Sequence, residues 1–326
     1  MEEEEQEYMR RRSLHKMSSV LRMLQWNTLA DGLAQHGDFA KVDSNILEWA
    51  SRAPVLLEEI RKTEAHVICL QEVNHFDDFF IPHLEEYGYA GVFHGKPFSP
   101  ALKYGCARDG CALFFRQSRL QLLVKEVFLY EFPNGVSHNQ GAIICHFEDS
   151  EAKKDVIIAT THFKASTGHQ NETLRLMQAE QLLKRLSIVA GSNEFPIIIC
   201  GDLNTLPNSE VCKLFREHSL QFQSIYALTC NCNTSHGLEN SLIQSLCEDV
   251  SDGGEDFEPQ FTTWKFRSTG VDQRTIDYIW LSKQDAMVPY RRWQLPDVLK
   301  IGDTGLPSST IPSDHLPLLC ELIWKA

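Results

Sequence analysis

The chain lacks the features of a membrane-spanning or secreted protein. No apolar run among its 326 residues reaches the roughly 20 residues that span a bilayer. The N-terminus begins Met-Glu-Glu-Glu-Glu, which is unlike the start of a secretory signal, and transit peptides are poor in acidic residues. These absences predict a cytosolic protein that does not associate with a membrane.

The sequence also lacks the cysteine pattern of a disulfide-rich or zinc-binding protein. Its ten cysteines are scattered, and the tightest group, Cys230, Cys232 and His236, has no second pair at zinc-ligand spacing. Several cysteines lie in apolar, strand-like runs, where a reduced thiol behaves as a small hydrophobic side chain. These are Cys69, Cys111, Cys145, Cys200 and Cys320. The pattern indicates a reducing compartment.

Positive charge is scarce in this chain. Lys and Arg total 31 against 44 Asp and Glu, which gives a formal net charge of −13. A surface that follows a long polyanion such as RNA is usually basic. Metal cations and a few local lysines must therefore provide any recognition of phosphate.

Short apolar runs rich in Val, Ile, Leu and Phe recur along the chain and predict strands. They lie at 20–29, 66–73, 110–116, 141–147, 155–163, 196–204, 275–282 and 316–324. Helical spacing is confined to 43–62, 171–190 and 208–217, and Pro54 predicts a restart or kink in the first of these. Many strands with a few helices predict an α/β fold in which two packed β-sheets are flanked by helices.

The composition at two places departs from this pattern. Residues 1–17 are an acidic run followed by three arginines, which predicts a flexible N-terminal tail. Residues 229–259 are rich in Asn, Ser, Glu, Asp and Gly, which predicts a flexible acidic loop. No other boundary is evident, so residues 18–326 are expected to form one domain.

Polar and ionisable residues stand at the ends of several apolar runs, where side chains from neighbouring strands can converge. A single residue of this kind is usually an ordinary loop residue, but here such motifs follow one another along the chain. They are Gln25-Trp26-Asn27, Leu70-Gln71-Glu72-Val73, Thr161-His162-Phe163-Lys164, Gly201-Asp202-Leu203-Asn204, Thr275-Ile276-Asp277-Tyr278 and Ser313-Asp314-His315. Together they predict one site.

The acids and amides of this set predict a divalent metal site. Mg²⁺ takes oxygen ligands, usually one or two carboxylates completed by water and substrate phosphate. We expect Glu72 to be the main ligand, with Asn27 and Asp314 near it, and Mn²⁺ to be able to replace Mg²⁺. Neighbouring carboxylates repel each other without a cation, which also favours a metal.

The other residues of the set suit the hydrolysis of a phosphoester. His315 is expected to be the general base for water, because imidazole titrates near neutrality, and Asp277 to fix its tautomer. Asp202 is expected to position the attacking water. Asn204 and His162 are expected to donate hydrogen bonds to the phosphate oxygens.

From about Val20 to Ile323, the sequence resembles the nocturnin branch of the endonuclease/exonuclease/phosphatase superfamily. That branch is related to the carbon-catabolite-repressor-type deadenylases. The order Asn, Glu, His, Asp-x-Asn, Asp, Asp-His is the superfamily's signature. The segments specific to the branch are Lys96-Pro97-Phe98-Ser99-Pro100, Asp109-Gly110-Cys111-Ala112-Leu113-Phe114, Thr161-His162-Phe163-Lys164-Ala165 and Thr262-Thr263-Trp264-Lys265-Phe266-Arg267. The resemblance implies a four-layer α/β sandwich with mostly antiparallel sheets, as in deoxyribonuclease I.

The resemblance also implies a substrate, since nocturnins remove the 2′-phosphate of NADP⁺ and NADPH. Lys96, Lys164 and Arg267, together with Asn27, match residues that bind the substrate in that family. The chain departs from the family at Ser166, where nocturnins carry an arginine that contacts phosphate. A serine supplies a neutral hydrogen bond in its place, so Arg175 and Arg108 become candidates to supply the charge.

Two alternatives to the NADP(H) phosphatase remain open at this stage. One is a 3′-to-5′ exoribonuclease that acts on poly(A) or another RNA 3′ end, which would use the same metal chemistry. The other is an inactive RNA-binding scaffold, which is disfavoured because every expected acid, amide and histidine is present. We expect a monomer, and the sequence identifies no protein partner.

Overall fold

The computed structural model describes residues 20–230, 245–248, 250, 251 and 258–325. The predicted tail at 1–17 lies outside the described residues, as do Cys232 and His236. Only parts of the predicted loop at 229–259 are described, and they include three short strands. No helix within the described residues is long and apolar enough to cross a bilayer.

The strands follow the apolar runs that the sequence predicts, with several additional strands between them. The first nine are β1 Val20–Asn27, β2 Val67–Val73, β3 Tyr89–Gly95, β4 Gly110–Arg116, β5 Leu120–Glu131, β6 Ser137–Asp149, β7 Lys154–His162, β8 Ile197–Asp202 and β9 Gln223–Ser224. The others are β10 Thr229–Cys230, β11 Ser245–Glu248, β12 Val250–Ser251, β13 Thr263–Arg267, β14 Gly270–Arg274, β15 Asp277–Leu281, β16 Met287–Gln294 and β17 Leu318–Trp324.

These strands form two large mixed sheets. In the described part of the chain, one sheet has the order β11-β16-β17-β1-β2-β4-β3 and the other the order β5-β6-β7-β8-β15-β9. Most neighbours are antiparallel, but β1 pairs with β2 in parallel and β7 pairs with β8 in parallel. β11, within the predicted acidic loop, pairs with β16 at an edge of the first sheet.

The described residues form seven α-helices, some of which pack on the outer faces of the two sheets. They are α1 Asp31–Gln35, α2 Ser44–Leu47, α3 Trp49–Thr63, α4 Ile81–Glu85, α5 His169–Ala190, α6 Glu210–Glu217 and α7 Val298–Ile301. Pro54 does not restart the helix, contrary to the sequence-based prediction, because the break is at Glu48, whose backbone is extended. Pro54 lies inside α3 and removes one backbone hydrogen bond, while Leu56 and Ile60 anchor the helix in the core.

The core lies between the two sheets, which makes the fold a four-layer α/β sandwich. Side chains from both sheets form one buried cluster, and it includes Cys69, Cys111, Cys145, Cys200 and Cys320 as free thiols. A second cluster packs α5 and α6 on one sheet, and a third packs α3 and α4 on the other. The cysteines therefore act as small apolar side chains, as their sequence context predicts.

One edge of the sandwich collects the ends of strands from both sheets. The parallel pairs β1–β2 and β7–β8 end there, and His162 stands opposite Asp202 in the register. β15 is antiparallel to β8, so it begins at this edge, with Asp277 opposite Asp202. Residues far apart in sequence are thereby brought to one place.

Candidate active site

The structure brings the predicted metal and catalytic residues together at this edge. Six of their side chains are almost fully buried: Asn27, His162, Asp202, Asp277, Asp314 and His315. Glu72 and Asn204 are half-buried. The site is therefore an acidic pocket floor with two more accessible polar side chains at its margin.

Asn27 links two carboxylates of the site. Its Nδ2 donates to Glu72 Oε1 at 3.2 Å and to Asp202 Oδ2 at 3.0 Å. Its Oδ1 accepts from the backbone N–H of Leu29 at 3.0 Å, which fixes the orientation of the amide. Glu72 Oε2 also accepts from the N–H of Ala30 at 3.1 Å. The sequence could predict that Asn27 and Glu72 are neighbours, but not that Asn27 also holds Asp202.

The backbone of Glu72 and of Asn204 is in a conformation that non-glycine residues rarely adopt. Glu72 has φ of 55° and Asn204 has φ of 51°, in the left-handed region. The register of β2 against β4 shifts between Leu70 and Val73, as in a β-bulge. A bulge redirects a side chain out of the regular alternation, and here it turns Glu72 toward Asn27.

His315 is held by a buried chain of hydrogen bonds. Its Nδ1 lies 2.8 Å from Asp277 Oδ2, and the Thr262 hydroxyl donates to the same oxygen at 2.7 Å. The Nε2 atom of His315 is left facing the site, 3.9 Å from Asp202 Oδ2 and 3.9 Å from Asp314 Oδ1. The predicted pairing of Asp277 with His315 is therefore present in the structure.

Burial and neighbouring charges shift the pKa values of two of these groups. Burial and the negative charge of Asp277 raise the pKa of Asp202 to about 7, although His315 opposes the shift. Burial alone would lower the pKa of His315, but the charges of Asp277 and Asp314 outweigh it and raise that pKa to about 9. These shifts favour the imidazolium form of His315 and the protonated form of Asp202.

Lys265 is a site residue that the sequence reasoning missed. Its ammonium forms a buried ion pair with Asp314 Oδ2. Burial would raise the pKa of Asp314, but the charge of Lys265 outweighs it and lowers that pKa below its usual range. Strand alternation in the segment 262–267 places Lys265 on the same face as Arg267, and this signal could have identified it.

The ion pair changes the expected role of Asp314. The sequence groups Asp314 with Glu72 and Asn27 as metal ligands, whereas one of its oxygens is bound to Lys265. Its other oxygen, Oδ1, is buried and has no hydrogen-bond partner among the described residues, and the same holds for Asp277 Oδ1. Only this one oxygen of Asp314 is available to a cation or to substrate.

His162 and Asn204 line the same pocket. His162 Nε2 lies 3.5 Å from Asp202 Oδ2. Burial, then the positive charges of Lys96 and His315, hold the pKa of His162 well below its usual value, so this ring is neutral. The Asn204 amide donates to the carbonyl of Phe163 at 3.2 Å, so one donor of the amide is already used in the structure.

Lys96 joins two of the branch-specific segments. Its Nζ lies 2.5 Å from Asp109 Oδ2, and Ser99 Oγ donates to the other oxygen of Asp109. Burial would lower the pKa of Lys96, but the charges of Asp109 and Glu72 outweigh it and raise that pKa. Lys96 is therefore a buried cation near Glu72 whose removal would also leave Asp109 unpaired.

The other two predicted substrate-binding cations are more accessible. Lys164 is half-buried, and within the described residues no carboxylate forms an ion pair with its ammonium. Arg267 is half-buried, donates to the carbonyl of Asp38 at 3.0 Å and lies over the ring of Phe39. The charge of Arg267 contributes to the lowered pKa of Asp314, which places the guanidinium near the pocket.

Arg175 does not compensate for the missing family arginine at Ser166. It is 4% exposed, forms an ion pair with Glu172 and donates to the carbonyls of Lys164 and Ser166. Its guanidinium therefore supports the backbone of this loop and is not free for substrate. Arg108 is exposed and remains the candidate to supply that charge.

Arg52 supports the site from behind and was not predicted. It is 1% exposed and donates to the carbonyls of Thr28 and Pro312 at 3.0 and 3.1 Å. These bonds connect the chain after β1 to the segment before Asp314. Burial lowers the pKa of Arg52 to about 10, so it keeps its charge at neutral pH. Arg52 lies four residues before Leu56 and therefore on the buried face of α3. This spacing could have identified it as a buried residue from the sequence.

The donor set of this pocket fits a hard divalent cation. The Glu72 and Asp202 carboxylates both accept from Asn27 Nδ2 and so lie close together, and hard cations prefer oxygen ligands. Asp202, Asp277 and His315 also lie close enough to share an ion. The hydrogen bond between His315 and Asp277 already uses that pair, so the Glu72 side of the pocket fits Mg²⁺ better.

The chain is similar to known proteins over most of its length. Residues 24–315 match the family described as "Endonuclease/Exonuclease/phosphatase family". Nocturnin from Xenopus laevis is 38% identical over 316 residues, which cover 96% of this chain and 75% of that protein. The solved structure of the human nocturnin catalytic domain with bound sulfate anion has a TM-score of 0.74 and 32% identity, and covers 94% of this chain and 95% of that one.

A more distant relative is the CCR4-Not complex 3′-5′-exoribonuclease subunit Ccr4 from Candida glabrata. It is 27% identical over 327 residues, which cover 91% of this chain and 36% of that protein. The chain spans 64% of the length of human nocturnin. The similarity therefore concerns one domain of these longer proteins.

Proposed function

Because the chain belongs to the endonuclease/exonuclease/phosphatase family, we propose that it is a Mg²⁺-dependent phosphatase that removes the 2′-phosphate of NADP⁺ and NADPH. The family and the nocturnin relatives make it a hydrolase of phosphoester bonds. The substrate and the roles of the residues below are part of the proposal. We also propose that the protein acts in the cytosol.

The observation that carries the proposal is the small number of cations around a buried acidic pocket. The chain has a net charge of −13, and Lys164, Lys265 and Arg267 supply positive charge locally, with Lys96 behind them. A few convergent cations can hold a small polyphosphate without making the whole surface basic. A long RNA backbone would require a longer basic track.

Glu72 would hold the metal, with Asp202 beside it and the unpaired oxygen of Asp314 as a further donor. Asn27, expected from the sequence to be a ligand, presents its Nδ2 to both carboxylates and would hold them in place. A divalent cation, when bound, would polarise the phosphate and lower the pKa of a water molecule. The partly exposed Glu72 carboxylate faces the pocket, so it is accessible to the ion. The buried Lys265 fixes Asp314 and keeps it ionised.

The proton-transfer roles differ from the sequence-based expectation. A general base must be unprotonated, and a pKa raised to about 9 leaves His315 charged at neutral pH. We therefore assign the base to Asp202, which has a pKa near 7. His315, held by Asp277, would donate from Nε2 to an oxygen of the reacting phosphate, and neutral His162 would bind a second oxygen.

The relative named as a 3′-5′-exoribonuclease supports a second candidate function. In that case the same pocket would cleave the terminal phosphodiester of an RNA 3′ end. The chemistry at the phosphate would be the same, and only the group bound beyond it would differ.

Purified protein with Mg²⁺ and NADP⁺ or NADPH tests the proposal. We expect equal amounts of inorganic phosphate and of NAD⁺ or NADH, identified by chromatography. Recovery of intact NADP(H), with activity only on RNA, would contradict the proposed substrate and leave the family assignment unaffected.

Lys164→Ala should weaken substrate binding more than catalysis. Lys164 follows His162 by two residues, is half-buried and has no carboxylate partner within the described residues, so its ammonium is available to a remote phosphate. One lost charge-assisted contact should raise KM about 10- to 150-fold with a smaller change in kcat. Steady-state kinetics on NADP⁺ measure the effect.

Lys184→Ala is the matched control, since Lys184 is exposed on α5, beyond the loop that carries Lys164. It should leave KM unchanged. A loss confined to kcat in Lys164→Ala would instead place this lysine at the reacting phosphate.

A further inference from the structure

Phe98 is the most exposed aromatic side chain of the described residues, with 81% of its surface accessible. A single exposed apolar side chain is common on protein surfaces. What distinguishes Phe98 is the chain around it, since a freely moving loop could fold the ring back onto the protein. The backbone contacts of the segment prevent this.

Asn139 of β6 binds the backbone of Phe98 on both sides. The N–H of Phe98 donates to Asn139 Oδ1 at 2.7 Å, and Asn139 Nδ2 donates to the carbonyl of Phe98 at 2.8 Å. On either side, Lys96 and Ser99 are both bound to the buried carboxylate of Asp109. The ring is thus presented to solvent from a fixed backbone.

The segment that carries the ring lies beside the strand end that carries Glu72. Lys96 is two residues before Phe98, and consecutive Cα atoms are about 3.8 Å apart. Lys96 is bound to Asp109, and the next residue, Gly110, stands opposite Val73, which follows Glu72. Phe98 therefore lies at the margin of the site.

We propose that Phe98 is a stacking platform for a heteroaromatic base of the substrate, so that the enzyme selects nucleotides over phosphomonoesters without a base. This inference rests on the proposed function only in taking a nucleotide as the substrate. Stacking on an aromatic ring favours every base, because each base has a π-face. The reacting phosphate would lie at the metal site while Phe98 contacts the base.

The test compares Phe98→Ala with the wild type on two substrates. One is NADP⁺, and the other is glycerol 2-phosphate, which is a phosphate ester of a secondary alcohol and has no base. Base stacking predicts a KM for NADP⁺ raised about 5- to 150-fold, with kcat changed less than threefold. The kcat/KM for glycerol 2-phosphate should not change.

The substitution leaves the loop in place, because Asn139 binds only the backbone of residue 98. Tyr87→Ala is the control, since Tyr87 is an exposed aromatic at the other end of β3, and it should affect neither substrate. Phe98→Trp should restore the KM for NADP⁺. Equal losses on both substrates, or no change on either, would overturn the proposal.

Phe98→Trp separates this inference from the proposed function. If NADP⁺ is not hydrolysed, the variant is titrated with adenosine 5′-monophosphate and, separately, with ribose 5-phosphate. The change in its tryptophan fluorescence is compared with that of the wild type. Quenching by the adenine compound alone supports the platform even when the substrate assignment fails. An identical response to both compounds contradicts the platform. So does a protein partner whose binding is abolished by Phe98→Ala and is unaffected by nucleotide.

Discussion

Glu72→Gln should lower kcat/KM by about 10³-fold or more in the presence of Mg²⁺. The substitution removes one of the two carboxylates that Asn27 brings together, and with it the charge that would hold the cation. A metal ion contributes several kcal/mol of charge stabilisation to the transition state, and each 1.36 kcal/mol corresponds to a tenfold change in rate. Phosphate release at increasing Mg²⁺ concentration measures the loss.

Thermal unfolding provides a readout of the cation that does not depend on activity. Mg²⁺ should raise the Tm of the wild type, because a ligand of the native state stabilises it, and it should raise the Tm of Glu72→Gln much less. Glu86→Gln, at an exposed position, is the control. Full activity of the wild type in excess chelator, or of Glu72→Gln in Mg²⁺, would contradict the metal role.

Asp202→Asn should lower kcat by about 10²- to 10⁴-fold, the usual contribution of a general base. The pKa of Asp202 is raised to about 7, so its carboxylate forms as the pH rises through that value and the rate should rise with it. The pKa of His315 is raised to about 9, so its proton is lost above that pH and the rate should fall. The kcat/KM profile should therefore be bell-shaped, with its maximum between these two values at low Mg²⁺.

Added Mg²⁺ should move both limbs to lower pH, because a positive charge favours the carboxylate and disfavours the imidazolium. In His315→Gln the alkaline limb should disappear and the acid limb should stay. Asp285→Asn, an exposed acid after β15, should leave the profile unchanged. If His315→Gln removes the acid limb instead, His315 is the base, as the sequence alone suggests.

The strand pattern was the most predictable feature of this fold. Each apolar run that the sequence marks coincides or overlaps with a strand, because runs of Val and Ile without helical spacing rarely form other structures. The strands β3 and β5, at sheet edges, and β16, next to an edge, were not predicted, because their residues face both the core and solvent and carry no continuous apolar run. The sequence predicted a restart or kink at Pro54, whereas the helix breaks at Glu48. The packing of the helix outweighs the local cost of the proline.

The candidate site was predictable as a set of residues but not as a set of contacts. The order of the motifs identified Asn27, Glu72 and the Asp277–His315 pair. It could not identify Lys265 as the partner of Asp314, since that ion pair joins segments 49 residues apart. Nor could it give the protonation of His315, because the pKa depends on which carboxylates surround the buried ring.

A competition between two substrates in one reaction tests the central claim most directly. Equimolar NADP⁺ and an oligoadenylate with a 5′ label are incubated with the protein in Mg²⁺, and NAD⁺ formation and 3′ shortening are followed together. The few cations around the pocket and the net charge of −13 predict a much higher kcat/KM for NADP⁺. Shortening of the oligoadenylate while NADP⁺ stays intact would contradict the phosphatase assignment and establish the RNA 3′ end as the substrate.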